Sequence, residues 1–133
     1  VAAALLSIAA ALVVRLSPPL ETAAASVHLV LTFTLYVMGG ALATRLGGAG
    51  WRAGLFAGLL DALIGHAIAF FISAPPDPAR ITLPRGVEAT PQVLGAMHLW
   101  GAVVGAGAAV LFALAGGALG GWYARRTLTE RRG

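Results

Sequence analysis

The sequence predicts an all-α, polytopic membrane protein, a compact bundle of four transmembrane helices. Three observations predict it: long stretches without charge, arginines gathered at the ends of those stretches, and small residues at helical spacing. Of 133 residues, 59% are apolar and 11% charged, with a mean hydropathy of +0.86. A soluble domain carries about 25% charged residues. The outer surface of this chain is therefore made for lipid, and the whole of 1–133 reads as one transmembrane domain.

The first span is expected over about 1–16, from the uncharged run Val1–Val14 closed by Arg15. It is short of the roughly 20 residues that cross the hydrocarbon, and the chain reads as lacking residues before Val1. Ser17-Pro18-Pro19 then suits a helix start, with serine capping and proline at the first helical position. A second span over about 20–45 follows from the uncharged run Thr22–Thr44. Gly47-Gly48-Ala49-Gly50 makes a turn, and Trp51-Arg52 forms an interfacial pair. The third span, about 52–73, is interrupted by Asp61 alone. A loop over about 74–91 contains Pro75, Pro76, Pro78, Pro84 and Pro91. The fourth span is expected over about 92–122, inside an uncharged run from Ala89 to Ala124 that exceeds one crossing. That excess predicts tilt, a kink or projection beyond the membrane. Trp122-Tyr123 marks an interface before a tail over 123–133.

Charge bias sets the orientation. The tail carries Arg125, Arg126, Arg131 and Arg132 against Glu130, and Arg45 and Arg52 flank the turn between spans two and three. In the proline-rich loop Arg80 and Arg85 balance Asp77 and Glu88, and Arg15 balances Glu21. The positive-inside rule places both termini in the cytoplasm and that loop outside. A bacterial cytoplasmic (inner) membrane is the expected location, with the lipid bilayer as the immediate partner.

Span three carries Gly54, Gly58, Asp61 and Gly65 on one helical face. Span four carries Gly101, Gly105, Ala109, Phe112, Gly116 and Gly120 along a stripe, with Gly117 and Gly121 beside it. These faces predict close helix packing. There is also an echo of two tandem hairpins. Leu5-Leu6-Ser7 before Ser17-Pro18-Pro19 matches Leu59-Leu60-Asp61 before Ser73-Ala74-Pro75-Pro76. Val27-His28-Leu29 before Gly39-Gly40-Ala41-Leu42 matches Met97-His98-Leu99 before Gly116-Gly117-Ala118-Leu119.

Asp61 is the sharpest single feature, because a charged carboxylate in mid-membrane is costly. Depth counted from the helix ends puts Ser7 and Tyr36 at its level. The expected picture is a protonated or hydrogen-bonded carboxyl facing the glycine seam, satisfied by Tyr36 or a backbone carbonyl. His28, His66 and His98 are expected near one level in the outer leaflet, with Thr32 beneath His28. Such a layer could serve haem or a quinone as cofactor, with His28 and His98 the better pair because both lie on small-residue faces. On an α-helix, His66 would sit about 140° around from Asp61.

Cysteine is absent, which excludes disulfides, thiolate metal sites and cysteine nucleophiles. The arginines form no patch with interleaved aromatics, so no nucleic-acid partner is expected, and the glycine clusters lack the lysine and spacing of a phosphate loop. No metal site is expected, and no catalytic residue is singled out. The favoured class is a non-enzymatic accessory or structural subunit, packing against other membrane subunits or against itself. The alternatives are a small-solute, proton or ion carrier using Asp61, and a haem- or quinone-binding subunit.

Overall fold

The computed structural model describes residues 1–83 and 86–130, without the side chain of Arg80. Pro84, Arg85, Arg131 and Arg132 lie outside the described residues. Helix α1 spans Ala2–Leu16 and α2 spans Glu21–Arg45. Helix α3 spans Gly50–Ile72 and α4 spans Pro91–Glu130. Among the described residues, the chain is an all-α, compact helical bundle. Three of its helices (α2 with its leading turn, α3 and α4) are long and apolar enough to cross a membrane. The shorter α1, at 15 residues, rises only about 22 Å.

The connections follow from local chemistry. Ser17 makes no side-chain cap; a 3-10 turn over Pro18–Leu20 intervenes, and α2 begins at Glu21 rather than at the prolines. Gly47 ends α2 with φ +85, a conformation that L side chains rarely adopt. Its N–H donates to Thr44 O, and that of Gly48 to Ala43 O, satisfying carbonyls the helix leaves open. In the 73–90 loop, Asp77 accepts from the N–H of Ala79, and Thr90 Oγ1 accepts from the N–H of Val93 to open α4. Helix α4 then continues for 40 residues, about 60 Å, and carries the expected tail as far as Glu130 in helical form.

Two arginine–indole contacts lie at the same end of the bundle. Arg52 sits over Trp51 at the start of α3, and Arg126 over Trp122 near the end of α4. This end is called the tail end below, and the opposite one the loop end.

The glycines of the tail-half seam are spent on contacts inside the chain. Adjacent Gly116 and Gly117, with Gly120 and Gly121, give α4 two four-residue ladders that face different neighbours. A Cβ on Gly116 would meet Tyr36 Cβ at 2.8 Å, and one on Gly120 would strike the Val37 carbonyl of α2. A Cβ on Gly117 would meet Gly50 O at 2.6 Å and Gly54 Cα at 2.8 Å, both on α3. Backbone-to-backbone approach of this kind needs residues without side chains, and in lipid it supplies much of the association energy. The stripe does not continue to the loop end: Gly95, Gly101 and Gly107 have nothing within 4 Å of an added Cβ, and Phe112 is exposed. The bundle is thus closed at its tail half and looser at its loop half.

Two contacts join positions that the hairpin echo aligns. Ser7 bonds Asp61, and the backbones of Gly40 and Gly117 touch. Helix α1 is also held at its C-terminal end, where Arg15 donates to the Ile72 carbonyl.

Candidate functional site

Just above the glycine seam, toward the loop end, the carboxylate of Asp61 is fully buried at 0% exposure. Oδ1 accepts from Ser7 Oγ of α1 at 2.7 Å, and Oδ2 accepts from Tyr36 Oη of α2 at 2.8 Å. Three helices therefore converge on one carboxyl group. Gly65 makes this convergence possible. A Cβ there would press on Asp61 Oδ1 and stand 2.8 Å from Ala4 Cα and 3.1 Å from Ser7 Cβ, keeping α1 away.

Within α3, Asp61–His66 forms a π-helical turn. The wider turn brings a residue five positions on back over the first, where an α-helix would rotate it away. His66 Nδ1 consequently lies 3.8 Å from Asp61 Oδ1 and 3.4 Å from the Asp61 carbonyl. The separation of about 140° expected for an α-helix does not apply, and Asp61 and His66 share one site.

His28 joins the site through serine, with Nε2 3.0 Å from Ser7 Oγ. The order is carboxylate–serine–histidine. A nucleophilic triad needs the histidine in the middle, so this chain of bonds is a hydrogen-bonded relay and not an activated serine. Hydrogen-bond bookkeeping fixes its polarity. When Asp61 is ionised, the single Ser7 proton points at Oδ1, so His28 Nε2 must donate to Ser7 and His28 Nδ1 carries a lone pair. Likewise His66, donating through Nδ1 toward Asp61, leaves Nε2 as an acceptor. Protonating Asp61 on Oδ1 allows the reverse, with the carboxyl donating to Ser7 and Ser7 to His28.

Of this group, His28, Tyr36, Asp61 and His66 line a cleft of about 280 Å³ between α2, α3 and α4. Thr32 also lines it, 6% exposed, and its hydroxyl has no hydrogen-bond partner. Other helical hydroxyls turn back on the backbone, as Ser26 does on Thr22 O, Thr34 on Val30 O and Ser73 on Ala69 O. Thr44, in the packed tail half, shares the lack of a partner but does not line this cleft. A buried hydroxyl without a partner costs about 1–3 kcal/mol, so Thr32 marks a place where a polar atom of a ligand would be welcome. Phe33 and Phe112 form the apolar wall, edge to face with centroids 6.1 Å apart. Gly105 leaves room beside His66, whose Nε2 lies 3.5 Å from where a Cβ would stand.

A second cleft, of about 720 Å³, opens at the loop end and is bordered by Arg15, Glu21, Ser73, Asp77 and His98. His28 borders both clefts. It is the one side chain of the Asp61 relay that does so.

The structure thus brings together Ser7, Tyr36, Asp61, His66, His28 and Thr32. It does not bring His98 to them: that ring stacks on Phe70 at 4.5 Å, and its Nε2 lies 3.1 Å from the Phe70 carbonyl. His28 and His98, expected as the haem pair, both have Nε2 engaged, so each could offer a metal only Nδ1. Among the described residues, no group of three or more histidine, aspartate or glutamate side chains could hold a metal ion. Sequence reasoning missed Phe33, which carries no polar signal, and the π turn, which has no signature in composition. No protein-family model, no curated protein and no solved structure matches this chain.

Proposed function

We propose that this chain is a small, non-enzymatic, four-span protein of a bacterial cytoplasmic membrane, with both termini inside, that acts as a small-solute or proton carrier through Asp61. The observation that carries the reading is the position of Asp61 on the wall of a cleft. The carboxylate is fully buried, is held by Ser7 and Tyr36, and faces a space that also receives the unpartnered Thr32 hydroxyl. An ionisable group at membrane depth beside a cavity is the usual mark of a substrate or proton pathway. The π turn adds weight, because such turns occur frequently at functional sites. The tail half is sealed by backbone contact along Gly50, Gly54 and Gly117, which closes the tail side of the bundle below the site.

An accessory-subunit role draws on the short loops and small soluble mass. The glycines of the tail-half seam are occupied inside the chain, whereas Gly95, Gly101 and Gly107 of α4 are open. Reconstitution decides between the two. In liposomes with an entrapped pH dye, a panel of small solutes should include one that drives proton movement with wild type and none with Asp61→Asn. A folded protein that moves neither proton nor solute, and that migrates with other subunits on blue-native gels, would favour the accessory role.

A further inference from the structure

We infer that the Asp61 cleft selects a small lipophilic ammonium, a protonated amine that retains N–H donors; this rests on the solute-carrier reading above and names its substrate class. The argument starts from charge. Between Arg52 and Asp77 the sequence carries one formal charge, that of Asp61, and α2 carries none between Glu21 and Arg45. The carboxylate therefore has no arginine partner in the membrane, and its nearest basic group is the His66 ring. A buried anion of this kind is offset most directly by a cation.

The hydrogen-bond polarity points the same way. With Asp61 ionised and both rings neutral, the cleft-lining His28 and His66 each keep one lone pair, on Nδ1 and Nε2, and Thr32 keeps an unpartnered hydroxyl. Acceptors around a carboxylate call for a ligand that donates. Phe33 and Phe112 add ring surface on the other wall, which favours organic cations over hydrated inorganic ones. Size then limits the choice. At about 280 Å³ the cleft lies at the lower edge of the roughly 300–1,000 Å³ typical of small-molecule sites, enough for a one-ring amine.

Protonating Asp61 removes the anion and lets Ser7 turn its proton toward His28, so that a neutral His28 carries Nδ1–H in place of a lone pair. Proton and ammonium are thereby alternatives at one site. The groups facing Asp61 are Ser7 from α1, Tyr36 from α2 and His66 from its own helix, with His28 one bond further; α4 contributes Gly105 and Ala109, which do not titrate.

The test is calorimetric titration of the whole protein in nanodiscs with phenethylammonium and, separately, with its neutral counterpart phenethyl alcohol. Wild type should bind the ammonium about 100-fold more tightly than the alcohol, and Asp61→Asn should lose about 100-fold of the ammonium affinity. Asparagine can accept from Tyr36 and donate to Ser7, so this variant keeps the three-helix contact, which circular dichroism checks. Thr32→Val, nearly isosteric, should weaken the ammonium about 3- to 10-fold. Equal affinity for the alcohol, with both ligands still lost in Asp61→Asn, would overturn the ammonium assignment and leave the Asp61 cleft standing as a solute site. Unchanged ammonium affinity in Asp61→Asn, or no binding of either probe by folded wild type, would overturn both.

Discussion

Gly117→Ala against Gly101→Ala makes one chemical change at two places on α4 that the structure treats differently. At Gly117 the new methyl would stand 2.6 Å from Gly50 O and 2.8 Å from Gly54 Cα, where ordinary contact begins at 3.4 Å. Helices α3 and α4 must therefore part by 0.6 to 0.8 Å (3.4 − 2.8 and 3.4 − 2.6). A gap of roughly 0.5–1 Å forfeits about a quarter to a half of each dispersion contact it opens. Overpacking of this kind costs about 1–3 kcal/mol, and the obstructing atoms here are backbone that cannot rotate aside. At Gly101 nothing lies within 4 Å, so alanine adds only its better helix propensity, up to about 1 kcal/mol. Because that propensity gain is common to both sites, the difference between the variants isolates the seam. It should be about 2 kcal/mol, or about thirtyfold in the folded-to-unfolded ratio. Reversible unfolding in mixed detergent micelles, followed by tryptophan fluorescence, measures it. Equal stability of the two variants would refute the claim that the tail half is held by backbone contact.

Tyr36→Phe should destabilise the fold by about 1–3 kcal/mol in the same assay, because Asp61 Oδ2 loses its donor in a buried site. An unaffected variant would mean that the bond contributes nothing. Gly65→Ala should displace α1, since the methyl would lie 2.8 Å from Ala4 Cα. Limited proteolysis near Ser17 should then accelerate, and an unchanged cleavage rate would count against the docking of α1 on the π turn. The cysteine-free chain also permits a clean topology test. A membrane-impermeant thiol reagent should label Val87→Cys in intact cells and spare Thr129→Cys; the reverse pattern would invert the orientation.

Much of this arrangement is legible in the sequence wherever a fixed geometric rule applies. Ser7, Tyr36 and Asp61 can be set at one depth by counting from helix ends, because every helical residue rises about 1.5 Å. Gly54 and Gly58 can be set on the Asp61 face because the α period holds from Gly50 to Leu60, and Gly65, four positions beyond Asp61, stays near that face even though it lies inside the π turn. The rule fails where tertiary contact changes the helix itself. His66 falls on the Asp61 side because the chain widens into a π turn, where α1 packs against Gly65, and no residue type announces that widening. His98 shows a different limit. Depth alone puts it near His28, but its ring found an aromatic partner in Phe70 and a carbonyl to bond. The end of α4 is a third case: Trp122 and Tyr123 mark an interface, yet the residues beyond them keep helical form to Glu130. An interface signal in sequence locates the membrane boundary, which is not a helix terminus.

The central claim is that Asp61 is a working carboxyl, one that exchanges its proton with the cleft, and not only a pin between helices. The chain contains only two aspartates, Asp61 and Asp77, so carbon-13 labelling of the aspartate carboxyl gives one resonance from the buried site and one from the loop. Asp61→Asn assigns them. In nanodiscs, the account predicts that the Asp61 resonance moves reversibly with pH while the protein stays folded, and that phenethylammonium shifts it without moving Asp77. An Asp61 resonance fixed at one position through the whole folded range, and indifferent to the ammonium, would contradict the account and leave Asp61 as a structural pin.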